Sequence, residues 1–286
     1  MQMPAPMRGR GQRFGSYELV APLASGGMGG VYLARHVTTG ERVALKVLDP
    51  LFANHAEVVA RLFSEYAISS RVAHAGLLEI RGAGRNVDGV PYLVMEYLEG
   101  QPLSSIESLE IVTIVELGSQ IAAALAALHD AGIVHCDVKP QNVFVVDGPW
   151  PHAKVIDFGV SRLVDEPPLE ESTIAGTPTY MAPEQWKGAP QTATDVYALG
   201  CMLFELLTGE PPFDGSLPQL MLAHLEARPA RPSWLRSGVP MELERVILRA
   251  LAKDPAMRPT MSEAAQLLGE LADALTGETV RMPIAV

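Results

Sequence analysis

The chain has 286 residues, 48% hydrophobic and 19% charged, which fits one or two globular domains and excludes a disordered chain. Its formal net charge of −11 disfavours non-specific contact with nucleic acid and attraction to anionic membranes. The two cysteines, Cys136 and Cys201, are too few for a disulfide framework or a four-ligand zinc site. They read as reduced thiols, which places the chain in the cytoplasm.

Residues 1–16, rich in Arg, Gly and Pro, lack the apolar core of a secretory signal and read as a flexible leader. Residues 17–48 read as strands broken by turns. The run 17–23 leads into Gly26-Gly27-Met28-Gly29-Gly30, Val31-Tyr32 resumes extended structure, and Thr39-Gly40-Glu41 marks a hairpin before Val43-Ala44-Leu45-Lys46-Val47-Leu48. The spacing of Val59, Leu62, Phe63, Tyr66 and Val72 predicts a helix over residues 56–72. Gly89 marks a turn between two further strands, the second over residues 92–97.

The character changes after Gly100. Residues 110–131 carry an alanine- and leucine-rich helix pattern that Gly132 should stop. Their most apolar part, residues 121–128, reads as a buried helix segment, and no apolar run reaches the ~18–20 residues needed to span a bilayer. Short strands are expected near 143–146 and 154–156, then helices over 194–208, 217–226, 241–252 and 261–275. A strand-rich first part over 17–96 and a helix-rich part over 97–275 form an α+β, two-lobed pattern, with residues 276–286 as a tail.

The most informative motif is His135-Cys136-Asp137-Val138-Lys139-Pro140-Gln141-Asn142, followed by Asp157-Phe158-Gly159. An acid, an amine and an amide lie within six residues, and a second acid sits beside a glycine fifteen residues beyond the amide. Such a set can hold a nucleoside triphosphate with metal and orient a hydroxyl against its last phosphate. The Gly-rich turn at Gly26 and Gly29 lets backbone N–H groups approach phosphates.

With these motifs in this order, residues 17–275 resemble a eukaryotic-like protein Ser/Thr kinase, most closely its bacterial members. The resemblance implies a small β-rich lobe, a larger helical lobe and ATP bound in the cleft between them. It implies that Lys46 pairs with the α- and β-phosphates and with a helix glutamate, for which Glu65 is the better candidate and Glu57 the competitor at the helix start. Asp137 would orient the substrate hydroxyl and take its proton, and Lys139 would offset charge on the transferring phosphoryl group. Asn142 and Asp157 would hold the metal. Their oxygen donors suit Mg²⁺, with Mn²⁺ as an alternative. Val31, Ala44, Met95 and Phe144 would line the adenine pocket, and the backbone of Glu96 to Leu98 would read its edge.

By the same resemblance, Thr177 reaches the catalytic loop, Glu184 pairs with Arg258, and Asp195 braces the catalytic loop. Lys139 together with the segment from Gly176 to Tyr180 resembles Ser/Thr rather than Tyr specificity. The implied partners are ATP and proteins bearing Ser or Thr, the chain itself included, with no nucleic acid. A dimer or a regulatory partner is left open. A pseudokinase or a kinase for small molecules would share the fold. Retention of Lys46, Asp137, Asn142 and Asp157 argues against the first, and the segment Gly176 to Glu184, read as a peptide-docking element, against the second.

Three positions depart from the family pattern. Ala24 replaces the first loop glycine, Gln141 replaces a glutamate, and Cys136 replaces an arginine that in many kinases binds a phosphate on the activation segment. Ser172 and Thr173 are the candidate phosphorylation sites of that segment, and Arg162 is a basic residue that could still reach such a phosphate. The neighbouring Asp137 should raise the Cys136 pKa, which favours a structural thiol over a redox switch.

Overall fold

A computed structural model of the chain describes residues 9–149, 151–164, 166 and 176–277. It divides into two units. The first comprises Met1–Ala73, Leu77–Glu99 and Asp157–Gly159, and the second His74–Gly76, Gly100–Ile156 and Val160–Val286. The segment Asp157-Phe158-Gly159 therefore belongs with the strand-rich unit, although it lies far along the chain.

The described part of the first unit is built on strands β1 (Arg13–Phe14), β2 (Tyr17–Gly26), β3 (Gly29–His36), β4 (Arg42–Leu48), β5 (Ile80–Arg85) and β6 (Pro91–Glu96), with helix α1 (Ala56–Ser69). These strands form an antiparallel sheet in the order β1-β2-β3-β4-β6-β5. Alternation sorts the side chains. Tyr32, Ala34, Val43, Leu45, Val47, Tyr92 and Val94 pack on one face with Phe14 and Leu19. Cross-strand register puts Val31 opposite Lys46 and Ala44 opposite Met95, on the other face. Helix α1 packs on β5 and β6.

Two expectations need correction here. The leader reading fails for residues 13–14, because Arg13–Phe14 pairs with β2 and Phe14 is wholly buried, edge-on to Tyr92 at 5.4 Å. A single core aromatic is enough to tie this end of the chain to the sheet. Helix α1 ends at Ser69, short of Val72, and its buried stripe is Val59, Leu62, Glu65 and Ile68. A carboxylate thus sits inside an apolar stripe, where its partner becomes the question.

The second unit contains strands β7 (Gly100–Pro102), β8 (Ile133–Val134), β9 (Val143–Val146), β10 (His152–Val155) and β11 (Arg162–Leu163). Its helices are α2 (Ile111–Asp130), α3 (Thr192–Thr208), α4 (Leu217–Glu226), α5 (Pro232–Leu235), α6 (Met241–Ala250) and α7 (Met261–Thr276). The strands make two small sheets, β10-β9-β7 and β11-β8. By length and composition α2 is able to cross a membrane, contrary to the expectation that no apolar run is long enough. In this fold Ile114, Leu117, Ile121, Leu125 and Leu128 are fully buried, and the helix packs on α7, α3 and β10 as a core element. It ends at Asp130, capped by Ala131, and Gly132 just beyond has a φ of 72° that favours glycine. Helix α7 starts with a reciprocal cap. Thr260 accepts from the Glu263 N–H at 3.2 Å, and Glu263 accepts from the Thr260 N–H at 2.7 Å.

Candidate active site

In the first unit, β2 ends at Gly26 and β3 begins at Gly29, so Gly27 and Met28 form the tip of a tight hairpin. A Cβ on Gly29 would collide with the backbone carbonyl of Val47. Ala24 pairs with Val31 just past a register shift in β2 and does not have a positive φ, so its position does not require glycine. Beneath the hairpin lies a cavity of about 300 Å³ whose walls include Gly26, Val31, Lys46, Glu65 and Asp157.

Lys46 stands on β4 and donates to both carboxylate oxygens of Glu65, at 2.7 and 2.8 Å, and to Asp157 Oδ1 at 3.2 Å. Burial lowers the Lys46 pKa, but the Glu65 and Asp157 carboxylates more than offset it and hold the ammonium charged. Burial pushes the Glu65 carboxyl upward against the opposing pull of Lys46. Glu57 lies in the first turn of α1, exposed. Asp157 has a φ of 67° and accepts from the Gly159 N–H at 3.3 Å, while Arg61 of α1 donates to the Gly159 carbonyl. The backbone that aims Asp157 is thus tied to the helix that supplies Glu65. At the end of β6 the Glu96 N–H already donates to the Glu79 carbonyl at 3.0 Å, so it is not a free donor for a base edge. Leu98 is half-buried just beyond.

The second unit holds the other constellation. Asp137 Oδ2 accepts from Lys139 Nζ at 2.6 Å and from Asn142 Nδ2 at 3.0 Å, and Asp137 Oδ1 accepts from the Thr177 hydroxyl at 2.8 Å. Lys139 Nζ also donates to Thr177 Oγ1 at 2.6 Å. Asn142 Nδ2 donates as well to the Asp137 carbonyl at 2.9 Å. Both donor contacts fix the amide orientation, so Oδ1 is the atom Asn142 offers elsewhere. Phe144 lies half-buried on β9, opposite Lys154 and Pro102.

Behind this layer Asp195, wholly buried in the first turn of α3, accepts from the His135 and Cys136 N–H groups at 2.8 Å each, and pairs with His129 Nε2 at 2.8 Å. Glu184 and Arg258 form a buried two-point pair at 2.6 and 2.9 Å, and Thr194 donates to Glu184 at 2.8 Å. Cys136 is buried, and its thiol pKa is raised, first by burial and then by Asp195, with Asp137 a smaller contributor. The direction matches expectation although the main cause is different, and a protonated buried thiol is a poor nucleophile. Ser172 and Thr173 lie outside the described residues. Arg162 donates to Glu166 at 3.0 Å.

The motifs do not single out Arg61, His129 or Gln185. Arg61 and His129 join their partners across 98 and 66 residues, a separation that local spacing cannot register. Among the described residues no group of three or more His, Cys, Asp or Glu side chains is placed to hold a metal ion. Asp157 in the first unit and Asn142 in the second each carry an oxygen donor of the hard kind.

A family model described as a protein kinase domain matches residues 17–268. The chain is 42% identical over 259 residues to the serine/threonine-protein kinase Pkn1 of Myxococcus xanthus, covering 87% of this chain and 37% of that protein. It is 37% identical over 274 residues to the serine/threonine-protein kinase PknD of Mycobacterium tuberculosis, covering 93% and 40% respectively. The chain thus spans about two fifths of the length of these relatives. Among solved structures, the PknI kinase domain of Mycobacterium tuberculosis matches with a TM-score of 0.71 at 29% identity, over 92% of this chain and 99% of that one.

Proposed function

This chain belongs to the eukaryotic-like protein Ser/Thr kinase family, most like its bacterial members, and from that premise we propose that it transfers the γ-phosphate of ATP to Ser and Thr hydroxyls of proteins, its own included. The supporting observation is the arrangement around Asp137. Lys139, Asn142 and Thr177 fix both carboxylate oxygens, so the acid is oriented before any substrate arrives.

The chemistry is a displacement at phosphorus. A substrate hydroxyl oxygen forms the new bond to the γ-phosphorus, the bond to the bridging β,γ-oxygen breaks, and ADP leaves. Asp137 orients the hydroxyl and receives its proton. Lys139 sits beside Asp137 and offsets negative charge on the group in transfer. Lys46, held charged by Glu65, anchors the α- and β-phosphates. The Gly26 to Gly29 hairpin supplies backbone N–H groups. Val31, Ala44 and Met95, on the same sheet face as Lys46, would give the apolar surround of the base, a role the family resemblance extends to Phe144, and it assigns the reading of the base edge to backbone groups of Glu96 to Leu98.

Mg²⁺, or Mn²⁺ in its place, is the metal that suits these oxygen donors, and Asp157 and Asn142 are the residues that would hold it. When bound it neutralises phosphate charge. Residues 17–96 and 97–275 are taken as the small and large lobes. The buried free thiols of Cys136 and Cys201 support a reducing, cytoplasmic setting for this segment.

The test is incubation of the purified chain with Mg-ATP, with and without a generic basic protein, followed by mapping of phosphorylated residues. Phosphate on Ser and Thr, lost by about two orders of magnitude or more in Asp157→Asn and Lys46→Met, is the expected result. Failure to transfer phosphate to protein, or wild-type labelling by either variant, would overturn it.

A further inference from the structure

The peptide carbonyl just before Asp137 meets one buried amide, which also lies against Gly176. Gln185 is buried, and its Nε2 donates to the Cys136 carbonyl oxygen at 2.7 Å. Cys136 immediately precedes Asp137, and its φ of 65° lies in the left-handed region. A residue with a Cβ persists there only where its surroundings over-determine it. On its other side the same residue is held through its N–H, which donates to Asp195 Oδ1 at 2.8 Å.

Gln185 also abuts the residue before Thr177. A Cβ on Gly176 would come within 2.6 Å of Gln185 Nε2 and 3.0 Å of the Cys136 carbonyl oxygen, and the Gly176 φ is 128°. The φ favours glycine, and a side chain there would crowd the Cys136 carbonyl and displace the Gln185 amide. The amide occupies the gap between Cys136 and Gly176. The next residue on each strand of chain, Asp137 and Thr177, meet at 2.8 Å.

We infer that Gln185 is a positioning residue for phosphoryl transfer. By its bond to the Cys136 carbonyl, and by filling the space against Gly176, it keeps Asp137 and Thr177 in register. The role rests on the kinase function proposed above. Its physical basis is that a buried carbonyl left without its donor draws the backbone toward another partner, and a shift of about 1 Å at a reacting group can lower a rate about a hundredfold.

The experiment uses Gln185→Met, which keeps bulk and removes the donor, and Gln185→Glu, which keeps shape and sets an acceptor against the carbonyl. Measured on the full chain are kcat, KM for ATP, thermal stability, and amide hydrogen exchange over residues 134–138 and 176–178. Both variants should lose about ten- to a hundredfold in kcat with KM for ATP within about twofold of wild type. Exchange should quicken in those two segments and not in helix α3. A wild-type kcat in both variants overturns the inference. So does uniformly faster exchange with a matching loss of folded protein, which would mean a role in stability alone. If the wild-type chain transfers no phosphate, the kinase function fails, and the local exchange result by itself decides whether Gln185 holds the two peptides.

Discussion

Lys46 donates to both oxygens of the Glu65 carboxylate, at 2.7 and 2.8 Å, although 19 residues and a change from strand to helix separate them. The side chain of Glu65 is nearly buried and that of Lys46 partly so. An ammonium so placed cannot turn away to solvent without leaving a buried carboxylate unpaired. Glu65→Gln should therefore lower peptide phosphorylation by about ten- to a hundredfold, the worth of one charge-assisted hydrogen bond of about 1.5–3 kcal/mol. Glu57→Gln should leave it nearly intact, since an exposed first-turn carboxylate contributes about 0.3–1 kcal/mol. Steady-state rates of both variants on one peptide decide the matter, and the reverse ranking would show that another acid holds Lys46.

The Thr177 hydroxyl links the segment it stands on to the catalytic loop by accepting from Lys139 and donating to Asp137. Thr177→Val keeps the shape and removes both bonds, and should lower kcat by about ten- to a hundredfold while KM for ATP is unchanged. Thr177→Ser keeps the hydroxyl and should stay close to wild type. Equal activity of the Val and Ser variants would remove the hydroxyl from the mechanism.

How much of this was legible in the sequence depends on range. The helix over residues 56–72 follows from a period within one element, but the face that period marks, with Phe63 and Tyr66, is rotated from the buried stripe of Val59, Leu62, Glu65 and Ile68. Residues 43–48 are apolar on both sides of Lys46 and show no alternation, so the roles of Lys46 and Glu65 rest on the family resemblance. The 20-residue α2 is long enough to show its period. The 2-residue strands β1, β8 and β11 are not, and they exist because partners distant in sequence complete them. Phe14 has no signature in the sequence, because a single aromatic among Arg and Gly carries no period. The contacts of Arg61, His129 and Gln185 with Gly159, Asp195 and Cys136 span 98, 66 and 49 residues. They follow only from the folded backbone. The Glu184–Arg258 pair is equally distant, and it was named only because a family pattern carried it.

His224 is buried on α4, with Nδ1 2.9 Å from the Tyr197 hydroxyl and its ring edge-on to Phe213 at 5.1 Å. Burial, and then the nearby Lys253, lower its pKa from an ordinary 6.5 to about 4. The native state then binds fewer protons than the unfolded chain between those values. Its contribution to stability is present above about pH 6.5 and is lost as pH falls toward about 4. The loss attributable to this group is at most about 3 kcal/mol. Urea midpoints at pH 7, 5.5 and 4.5 should fall more steeply for wild type than for His224→Asn, which keeps a hydrogen-bonding group without the titration. Parallel slopes would mean that carboxylates alone set the acid response.

The last prediction concerns Cys136, at the position where the family resemblance leads one to expect an arginine. Its side chain is buried and its thiol is held protonated, so it offers an activation-segment phosphate no charge. The missing contact is worth about 1.5–3 kcal/mol, or about ten- to a hundredfold in an ordering equilibrium. Arg162 is the basic residue nearest in kind, and it already donates to Glu166. A phosphate on Ser172 or Thr173 would have to compete with that carboxylate. Phosphorylation should therefore change the rate on an exogenous peptide by less than about a hundredfold. Phosphatase-treated and untreated protein, together with the Ser172→Ala and Thr173→Ala double variant, provide the comparison. A larger fall on dephosphorylation would require a strong phosphate receiver, and Arg162→Gln would then show whether Arg162 fills that role by abolishing the difference.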